Sequence, residues 1–265
     1  MLTHIKALIL DMDGVIWRDE APIGDLPEIF ATIRQRGLKF IFATNNSTKT
    51  PEQYLEKLSA LGVEVEPWQV VTSSIAAAQL LKRHFPNGGH IFVIGEEGVK
   101  SALREQGFEI STLENAEKSD AVIFGLDRHV NFAKMREATL LVRRGVPFYA
   151  TNPDKTFPTP RGEIPGSGAW VAVIVTAAGG VEPIYAGKPF PFMMELCLQR
   201  LGTTPSETLV VGDRFETDIL AGQAVGCPTA LVLTGVSVQA HSEMWRPPPT
   251  WVAADLEEII NRIGK

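Results

Sequence analysis

The chain has few of the residues that mark proteins of oxidising compartments. Its 265 residues include only two cysteines, Cys197 and Cys227, and their spacing fits no metal-binding motif. A chain of this length does not need disulfide bonds to hold a core together. The low cysteine count therefore favours a reducing cytoplasm, with both thiols buried as small apolar residues.

Long apolar runs are also absent. No segment approaches the roughly 18 to 20 apolar residues that span a bilayer. The N-terminus, MLTHIKALIL, has neither the long apolar stretch nor the small-residue cleavage site of a signal peptide. We therefore expect no membrane segment and no membrane partner.

Basic runs are equally scarce. The longest are pairs such as Arg143-Arg144, and 25 Lys and Arg against 31 Asp and Glu give a net charge of -6. A nucleic-acid backbone attracts clustered positive charge, so this balance argues against a nucleic-acid partner.

Short β-rich segments alternate with amphipathic segments along most of the chain. Apolar residues make up 45% of the sequence, which is ample for a core. Leu26, Ile29, Phe30 and Ile33 fall at i, i+3, i+4 and i+7, which predicts a helix over Asp25–Arg36. Strands and helices that alternate at this length predict parallel strands with crossover helices, hence an α/β fold. The chain length favours two domains.

One stretch departs from this alternation. Residues Thr151–Gly168 contain four prolines and three glycines, which predicts a long irregular loop. Long loops in compact proteins tend to be functional, so this one is a candidate substrate-facing segment.

Polar residues follow four of the predicted strands. The strands are Ala7–Leu10, Leu38–Ala43, Ile184–Ala186 and Thr208–Val211, and the residues that follow are Asp11 and Asp13, Thr44, Asn45 and Asn46, Lys188, and Asp213 with Asp218. In an open parallel sheet, ligands bind at the carboxyl ends of the strands. We therefore expect these four clusters to converge.

Converging carboxylates call for a cation. At about 4 Å each pair repels by roughly 1 to 4 kcal/mol, depending on the local dielectric. Ligands that offer only oxygen favour Mg²⁺ over zinc. Such a cation, Lys188 and donors near Thr44 would together hold a phosphoryl group. One Asp can then attack phosphorus and form an aspartyl-phosphate, while an acid two residues along, on the same side of an extended chain, transfers protons.

These clusters resemble the four motifs of the haloacid dehalogenase (HAD) superfamily. Asp11-Met12-Asp13-Gly14-Val15 is similar to motif I and Thr44 to motif II, while Gly187-Lys188-Pro189 is similar to motif III and Gly212-Asp213 through Asp218 to motif IV. The resemblance runs nearly end to end. It is closest to the NagD-like branch, which includes 4-nitrophenylphosphatase, phosphoglycolate phosphatase and pyridoxal phosphate phosphatase.

The resemblance implies a magnesium-dependent phosphatase of small phosphorylated metabolites. In that family's mechanism Asp11 would be the nucleophile and Asp13 the general acid/base, while Thr44 and Lys188 would bind the phosphoryl group. The implied metal ligands are Asp11, Asp13 through its backbone carbonyl, Asp213, and Asp218 through water or outer contacts. The implied substrate-binding residues are Asn45, Asn46, Asp127, Asn152 and Asp154.

The resemblance also implies an architecture. It predicts a Rossmann-like HAD core with a parallel sheet at 1–78 and 183–265, and an inserted α/β cap of the C2 type at 79–182. The cap would close over the site, and caps of this subgroup often mediate a homodimer. Trp17, beside motif I, fits either a place at the entrance to the site or packing in the core.

Two other activities stay open. The same scaffold also fits phosphoryl transfer to an acceptor other than water, as in a mutase, and a non-catalytic protein that binds phosphate. The substrate is equally open among sugar phosphates, phosphoglycolate, pyridoxal phosphate and nucleotides.

Overall fold

The computed structural model describes residues 4–159, 161–237 and 239–263. The chain divides into two compact units, and each is α/β, as predicted. The first comprises Met1–Thr44, Glu52–Val71 and Lys188–Lys265, and the second comprises Asn45–Pro51 and Thr72–Gly187.

Strands and helices alternate along the described residues. The strands, in chain order, are β1 (Ala7–Leu10), β2 (Trp17–Arg18), β3 (Ala21–Pro22), β4 (Lys39–Thr44), β5 (Val70–Thr72), β6 (His90–Ile94), β7 (Glu109–Ser111), β8 (Ala121–Phe124), β9 (Phe148–Ala150), β10 (Thr156–Thr159), β11 (Gly162–Pro165), β12 (Ile184–Tyr185), β13 (Thr208–Gly212), β14 (Thr229–Val232) and β15 (Trp251–Ala253). The α-helices are α1 (Leu26–Gln35), α2 (Pro51–Ala60), α3 (Ser73–His84), α4 (Glu97–Glu105), α5 (Phe132–Arg143), α6 (Ser167–Ala177), α7 (Phe192–Leu201), α8 (Leu220–Ala224) and α9 (Leu256–Arg262).

The first unit is built on a six-stranded sheet in the order β15-β14-β13-β1-β4-β5. The central strand β1 runs parallel to both β13 and β4, and Leu10 lies opposite Val211 on one side and Phe42 on the other. All four residues of β1 are buried, as expected for a parallel strand covered on both faces. Parallel neighbours end at the same edge, and this edge carries the candidate site.

Helix α1 shows how the sequence determines a local element. Asp25 caps its N-terminus by accepting a hydrogen bond from the backbone N–H of Glu28 at 3.1 Å. Gly37, with φ of +67°, follows its C-terminal cap in the left-handed conformation that favours glycine. The apolar face predicted from the sequence is the buried face, namely Leu26, Ile29, Phe30 and Ile33.

The second unit has a separate five-stranded sheet in the order β12-β9-β8-β6-β7. Its neighbouring strands pair in parallel, and Ile184 of β12 lies opposite Tyr149 of β9. Strands β10 and β11 form an antiparallel hairpin within Thr151–Gly168, so the prediction of a wholly irregular loop there was wrong.

The limits of the second unit differ from the predicted 79–182. Helix α3 belongs to it from Ser73 onward and packs against α4, and β12 supplies an edge strand of its sheet. The prediction assigned Ile184–Ala186 to the first sheet because it precedes Lys188. Chain order alone does not say which of two similar sheets a short strand joins.

No helix in the described part of the chain is long and apolar enough to cross a membrane.

Candidate active site

Three acidic side chains meet at the carboxyl edge of the first unit's sheet. Asp11 follows β1 and Asp213 follows β13, and these strands are neighbours, so both residues leave the sheet at the same edge. Asp218 lies five residues after Asp213. The three carboxylates each place an oxygen within 4.8 Å of the others.

Lys188 lies among these carboxylates. Its Nζ donates hydrogen bonds to Oδ1 of Asp11 at 2.6 Å, Oδ1 of Asp218 at 2.6 Å and the carbonyl of Ala43 at 2.9 Å. Burial alone lowers the pKa of Lys188, but the charges of Asp11 and Asp218 raise it above its ordinary value. The side chain is therefore a fixed positive charge. It follows β12 of the second sheet in the chain, so the prediction that all four clusters end strands of one sheet was wrong for Lys188.

Burial acts on the pKa values of the carboxylates in the opposite direction from its effect on Lys188. Burial raises the pKa of Asp11 well above its usual range, against the opposing charge of Lys188. Burial, together with the charge of Asp218, raises the pKa of Asp213 to about 6. Both shifts reflect the cost of burying a negative charge, to which the neighbouring carboxylates add.

Asp213 is held by the backbone around it. Its Oδ2 accepts a hydrogen bond of 2.7 Å from the N–H of Val236. A Cβ on Gly14 would lie 2.5 Å from this oxygen, and one on Gly235 would lie 1.8 Å from it. The carboxylate therefore fits only because both positions are glycine.

Asp218 lies in a π-helical segment, Phe215–Ile219, directly after Asp213 and Arg214. Besides Lys188 on Oδ1, it accepts hydrogen bonds on Oδ2 from Arg214 N at 3.2 Å and Thr217 Oγ1 at 3.2 Å. Protein donors thus contact both of its oxygens.

Of the two other predicted catalytic residues, Thr44 lies on the neighbouring strand β4 and Asp13 lies in the segment that follows β1. Thr44 ends β4, the neighbour of β1, and is buried. Asp13 is exposed, and its Oδ1 accepts a hydrogen bond of 2.8 Å from Nε1 of Trp17.

The predicted substrate-binding residues all belong to the second unit, where three of them form one network. Asn45 Nδ2 donates to both carboxylate oxygens of Asp154, at 3.2 and 3.1 Å. Asn152 Nδ2 donates to the carbonyl of Asn45 at 2.7 Å, and its Oδ1 accepts from the N–H of Asp154 at 3.1 Å. The prediction that Asn45 shares a cluster with Thr44 has to be refined, since the division between the units falls between them.

Asn46 and Asp127 lie outside that network. Asn46 Oδ1 accepts from the N–H and the hydroxyl of Thr48, an Asx-type turn. Asp127 is buried and bound to the Nζ of Lys134 at 2.7 Å and the N–H of His129 at 2.8 Å. These local contacts account for both side chains without a ligand.

Comparison with known proteins identifies the family. A family model described as haloacid dehalogenase-like hydrolase matches residues 8–109, and a related HAD hydrolase model matches residues 185–259. The acid sugar phosphatase of Staphylococcus aureus is 38% identical over 264 residues, covering 100% of both chains. The chain belongs to the haloacid dehalogenase-like hydrolase family.

Solved structures place this HAD hydrolase in the NagD-like branch. The p-nitrophenyl phosphatase from Archaeoglobus fulgidus matches with a TM-score of 0.91 and 33% identity, over 98% of this chain and 99% of that one. NagD from Escherichia coli K-12 matches with a TM-score of 0.87 and 33% identity, over 96% and 98%. The protein is therefore a NagD-like phosphatase, with the first unit as its Rossmann-like core and the second as its α/β cap.

The acidic cluster of this HAD phosphatase fits a hard divalent cation. Asp11, Asp213 and Asp218 offer only oxygen, and no His or Cys belongs to the cluster found among the described residues. Oxygen-only donors suit Mg²⁺. Burial raises the pKa values of Asp11 and Asp213 although Lys188 is nearby, and a bound cation would oppose that shift.

Sequence reasoning missed the contacts of Gly235 and Val236 with Asp213. They follow β14, a further strand of the same sheet, so the strand-end rule already pointed to them. The segment after β14 carries no acidic side chain. A contact made by a backbone N–H cannot be predicted from residue types, because nearly every residue has this group.

Proposed function

We propose that this phosphatase hydrolyses small phosphate monoesters through an aspartyl-phosphate on Asp11, with Mg²⁺ as cofactor. The observation that carries the proposal is the buried group of Asp11, Asp213, Asp218 and Lys188 at one edge of the sheet. Three acids and one fixed ammonium, all largely shielded from solvent, suit a phosphoryl group and a cation, whereas burying so many charges would only cost stability in a purely structural core.

In the first step, an oxygen of Asp11 attacks phosphorus and the bond to the leaving oxygen breaks. Lys188 orients Asp11 through its hydrogen bond to Oδ1, and its charge opposes protonation of the nucleophile. Asp13 gives a proton to the leaving oxygen as that bond breaks. The ester becomes an alcohol, and the phosphoryl group is carried by Asp11.

In the second step, water attacks the same phosphorus and Asp13 takes up the proton that water loses. The bond between phosphorus and Asp11 breaks, which releases phosphate and restores the carboxylate. Thr44 and Lys188 contact the phosphoryl oxygens in both steps. Lys188 therefore neutralises charge where it develops, the arrangement that accounts for much of the rate in many enzymes.

Asp11, the backbone carbonyl of Asp13 and Asp213 are the groups that would hold Mg²⁺, and the cation would supply further positive charge for the phosphoryl oxygens. Asp218 supports this site through water and through Lys188, because protein donors already contact both of its oxygens. Such outer contacts fix the orientation of direct ligands.

Sugar phosphates are the substrate class that we propose to test first. The Staphylococcus aureus relative is named an acid sugar phosphatase, and it matches this chain from end to end. Asn45, Asn152 and Asp154 of the cap offer amide and carboxylate groups suited to sugar hydroxyls. We assign contact with the leaving group to these three residues.

The decisive variant is Asp11→Asn, assayed with 4-nitrophenyl phosphate and Mg²⁺. The amide keeps the size of the side chain but is a far weaker nucleophile, so turnover should fall by at least about 10³-fold while the fold is retained. Asp25→Asn, which alters an acidic helix cap outside the acidic cluster, is the matched control and should keep wild-type turnover. Wild-type activity in Asp11→Asn would end the proposal.

A further inference from the structure

The segment after Asp11 turns back on itself. Gly14 has a φ of +81°, its N–H donates to the carbonyl of Trp17 at 2.7 Å, and the N–H of Ile16 donates to the carbonyl of Met12 at 2.8 Å. This tight turn pairs Asp13 with Trp17 across an isolated β-bridge. The indole ring is thereby placed beside the carboxylate of Asp13.

The two side chains are joined by one directed contact. Nε1 of Trp17 lies 2.8 Å from Oδ1 of Asp13. An indole N–H can only donate, so Oδ1 is the accepting oxygen. Trp17 is 1% exposed whereas Asp13 is exposed. The buried indole therefore restrains a carboxylate that lies at the surface.

The indole ring itself contacts two side chains of α2. The ring of Tyr54 stacks on it, with centroids 6.4 Å apart and planes 8° apart. Nζ of Lys57 lies 4.3 Å from the ring centroid and also donates to the carbonyl of Asp19 at 2.9 Å. A cation over an indole face adds an attraction of about 0.5 to 2 kcal/mol. Trp17 therefore has little freedom to turn its N–H away from Asp13.

We infer that Trp17 is a positioning residue for Asp13, whose N–H holds Oδ1 and so leaves Oδ2 as the oxygen that exchanges the proton. This inference rests on the proposed role of Asp13 as general acid and base. A carboxyl free to rotate would spend much of its time aimed away from the leaving oxygen. One oxygen tied to a rigid indole fixes the plane of the group and the direction of the other.

Packing alone is the competing explanation, because a buried indole fills the core in any case. The two explanations differ in what Trp17→Phe does. Phenylalanine keeps an aromatic ring against Tyr54 and Lys57 but has no N–H. A packing role predicts the same loss for every substrate, whereas a positioning role predicts a loss that depends on how much protonation the leaving group needs.

The experiment compares kcat/KM for two probes, 4-nitrophenyl phosphate and phenyl phosphate, in wild type and Trp17→Phe. The first releases a weakly basic phenolate that leaves without a proton, and the second releases a more basic one. General acid catalysis accelerates a reaction by about 10² to 10⁴-fold. A misoriented Asp13 should therefore lower kcat/KM on the order of tenfold for phenyl phosphate and about twofold for 4-nitrophenyl phosphate. The ratio of the two values does not depend on how much enzyme is folded, so a less stable variant still answers the question.

Asp13→Asn and the double variant complete a thermodynamic cycle. Asp13→Asn should lower kcat/KM far more for phenyl phosphate than for 4-nitrophenyl phosphate, and adding Trp17→Phe should then change it by less than about twofold. Trp251→Phe, a half-buried residue on β15, is the matched control and should leave the ratio unchanged.

Each contrary result has its own meaning. If Trp17→Phe lowers kcat/KM equally for both probes, or lowers it as much in the Asp13→Asn background as in wild type, Trp17 acts only through packing. Either result would overturn this inference and leave the proposed function standing. If Asp13→Asn itself shows no dependence on the leaving group, the proposed role of Asp13 fails and the inference fails with it.

Discussion

Lys188 and Asp218 form a buried ion pair, with Nζ 2.6 Å from Oδ1 and both side chains almost fully excluded from solvent. The same Nζ lies 2.6 Å from Oδ1 of Asp11, so one ammonium neutralises charge on two carboxylates. Removing it would leave two buried acids without their nearest positive charge. This dependence makes Lys188 the most informative position outside the nucleophile.

Lys188→Met should lower both activity and stability. Loss of one partner from a buried pair costs about 3 to 5 kcal/mol, because the remaining charge is left uncompensated. Urea unfolding in the presence of EDTA, where no cation can replace the ammonium, should show a loss near the lower end of that range. Turnover of 4-nitrophenyl phosphate should fall by about 10² to 10³-fold, the effect of losing one donor to developing charge.

Lys6→Met is the matched control for this change. Lys6 forms an exposed pair with Glu207, the two residues directly before β1 and β13, and exposed pairs contribute at most about 1 kcal/mol. Its stability and turnover should therefore stay near those of wild type. Equal effects of the two substitutions would show that the buried position of Lys188 has no special energetic role.

Gly235→Ala should weaken metal binding without replacing any proposed ligand. The new Cβ would lie 1.8 Å from Oδ2 of Asp213, so the carboxylate has to move. Substitution of groups that orient a ligand typically costs about 10 to 100-fold in metal affinity. The Mg²⁺ concentration for half-maximal activity should rise by that factor, measured by titrating Mg²⁺ into EDTA-treated enzyme.

Gly37→Ala separates backbone strain from this steric effect. Gly37 follows α1 with a φ of +67° and has open space where a Cβ would be. Alanine there should cost about 1 to 2 kcal/mol of stability and leave the Mg²⁺ requirement unchanged. An unchanged Mg²⁺ requirement in Gly235→Ala would mean that Asp213 does not hold the cation.

The strand-end rule explains how much of this site was predictable. Asp11 and Asp213 each follow an apolar segment, and parallel neighbours must end at a common edge, so their convergence follows from the sequence. Lys188 also follows a strand, but that strand, β12, pairs with β9 of the cap and does not belong to the sheet of the core. Hydrophobic alternation identifies a strand but carries no information about its partner.

Turn-forming residues set a second limit on what the sequence could predict. Prolines and glycines in Thr151–Gly168 predicted an irregular loop, yet Thr156–Thr159 and Gly162–Pro165 pair as a hairpin. Both strands of an isolated hairpin are edge strands, and an edge strand tolerates proline because one side of it needs no ladder hydrogen bonds. The same breakers would have excluded a central strand.

Removal of the metal tests the centre as a whole. If a divalent cation relieves repulsion among Asp11, Asp213 and Asp218, EDTA should abolish turnover and Mg²⁺ should restore it. The cation should also stabilise the folded chain, by about 2.7 kcal/mol when its concentration is one hundred times the dissociation constant. Thermal unfolding followed with and without Mg²⁺ measures this effect independently of activity.

Asp213→Asn makes the metal test specific to one ligand. It removes one of the two proposed direct side-chain ligands while preserving the size of the side chain. Mg²⁺ should therefore restore less turnover after EDTA treatment, and it should also raise the unfolding temperature by less. Asp120→Asn, an acidic residue of the second unit outside the cluster, should keep both. Turnover that survives EDTA, with no shift in unfolding on adding Mg²⁺, would remove the cation from the mechanism and leave Lys188 as the positive charge facing the phosphoryl group.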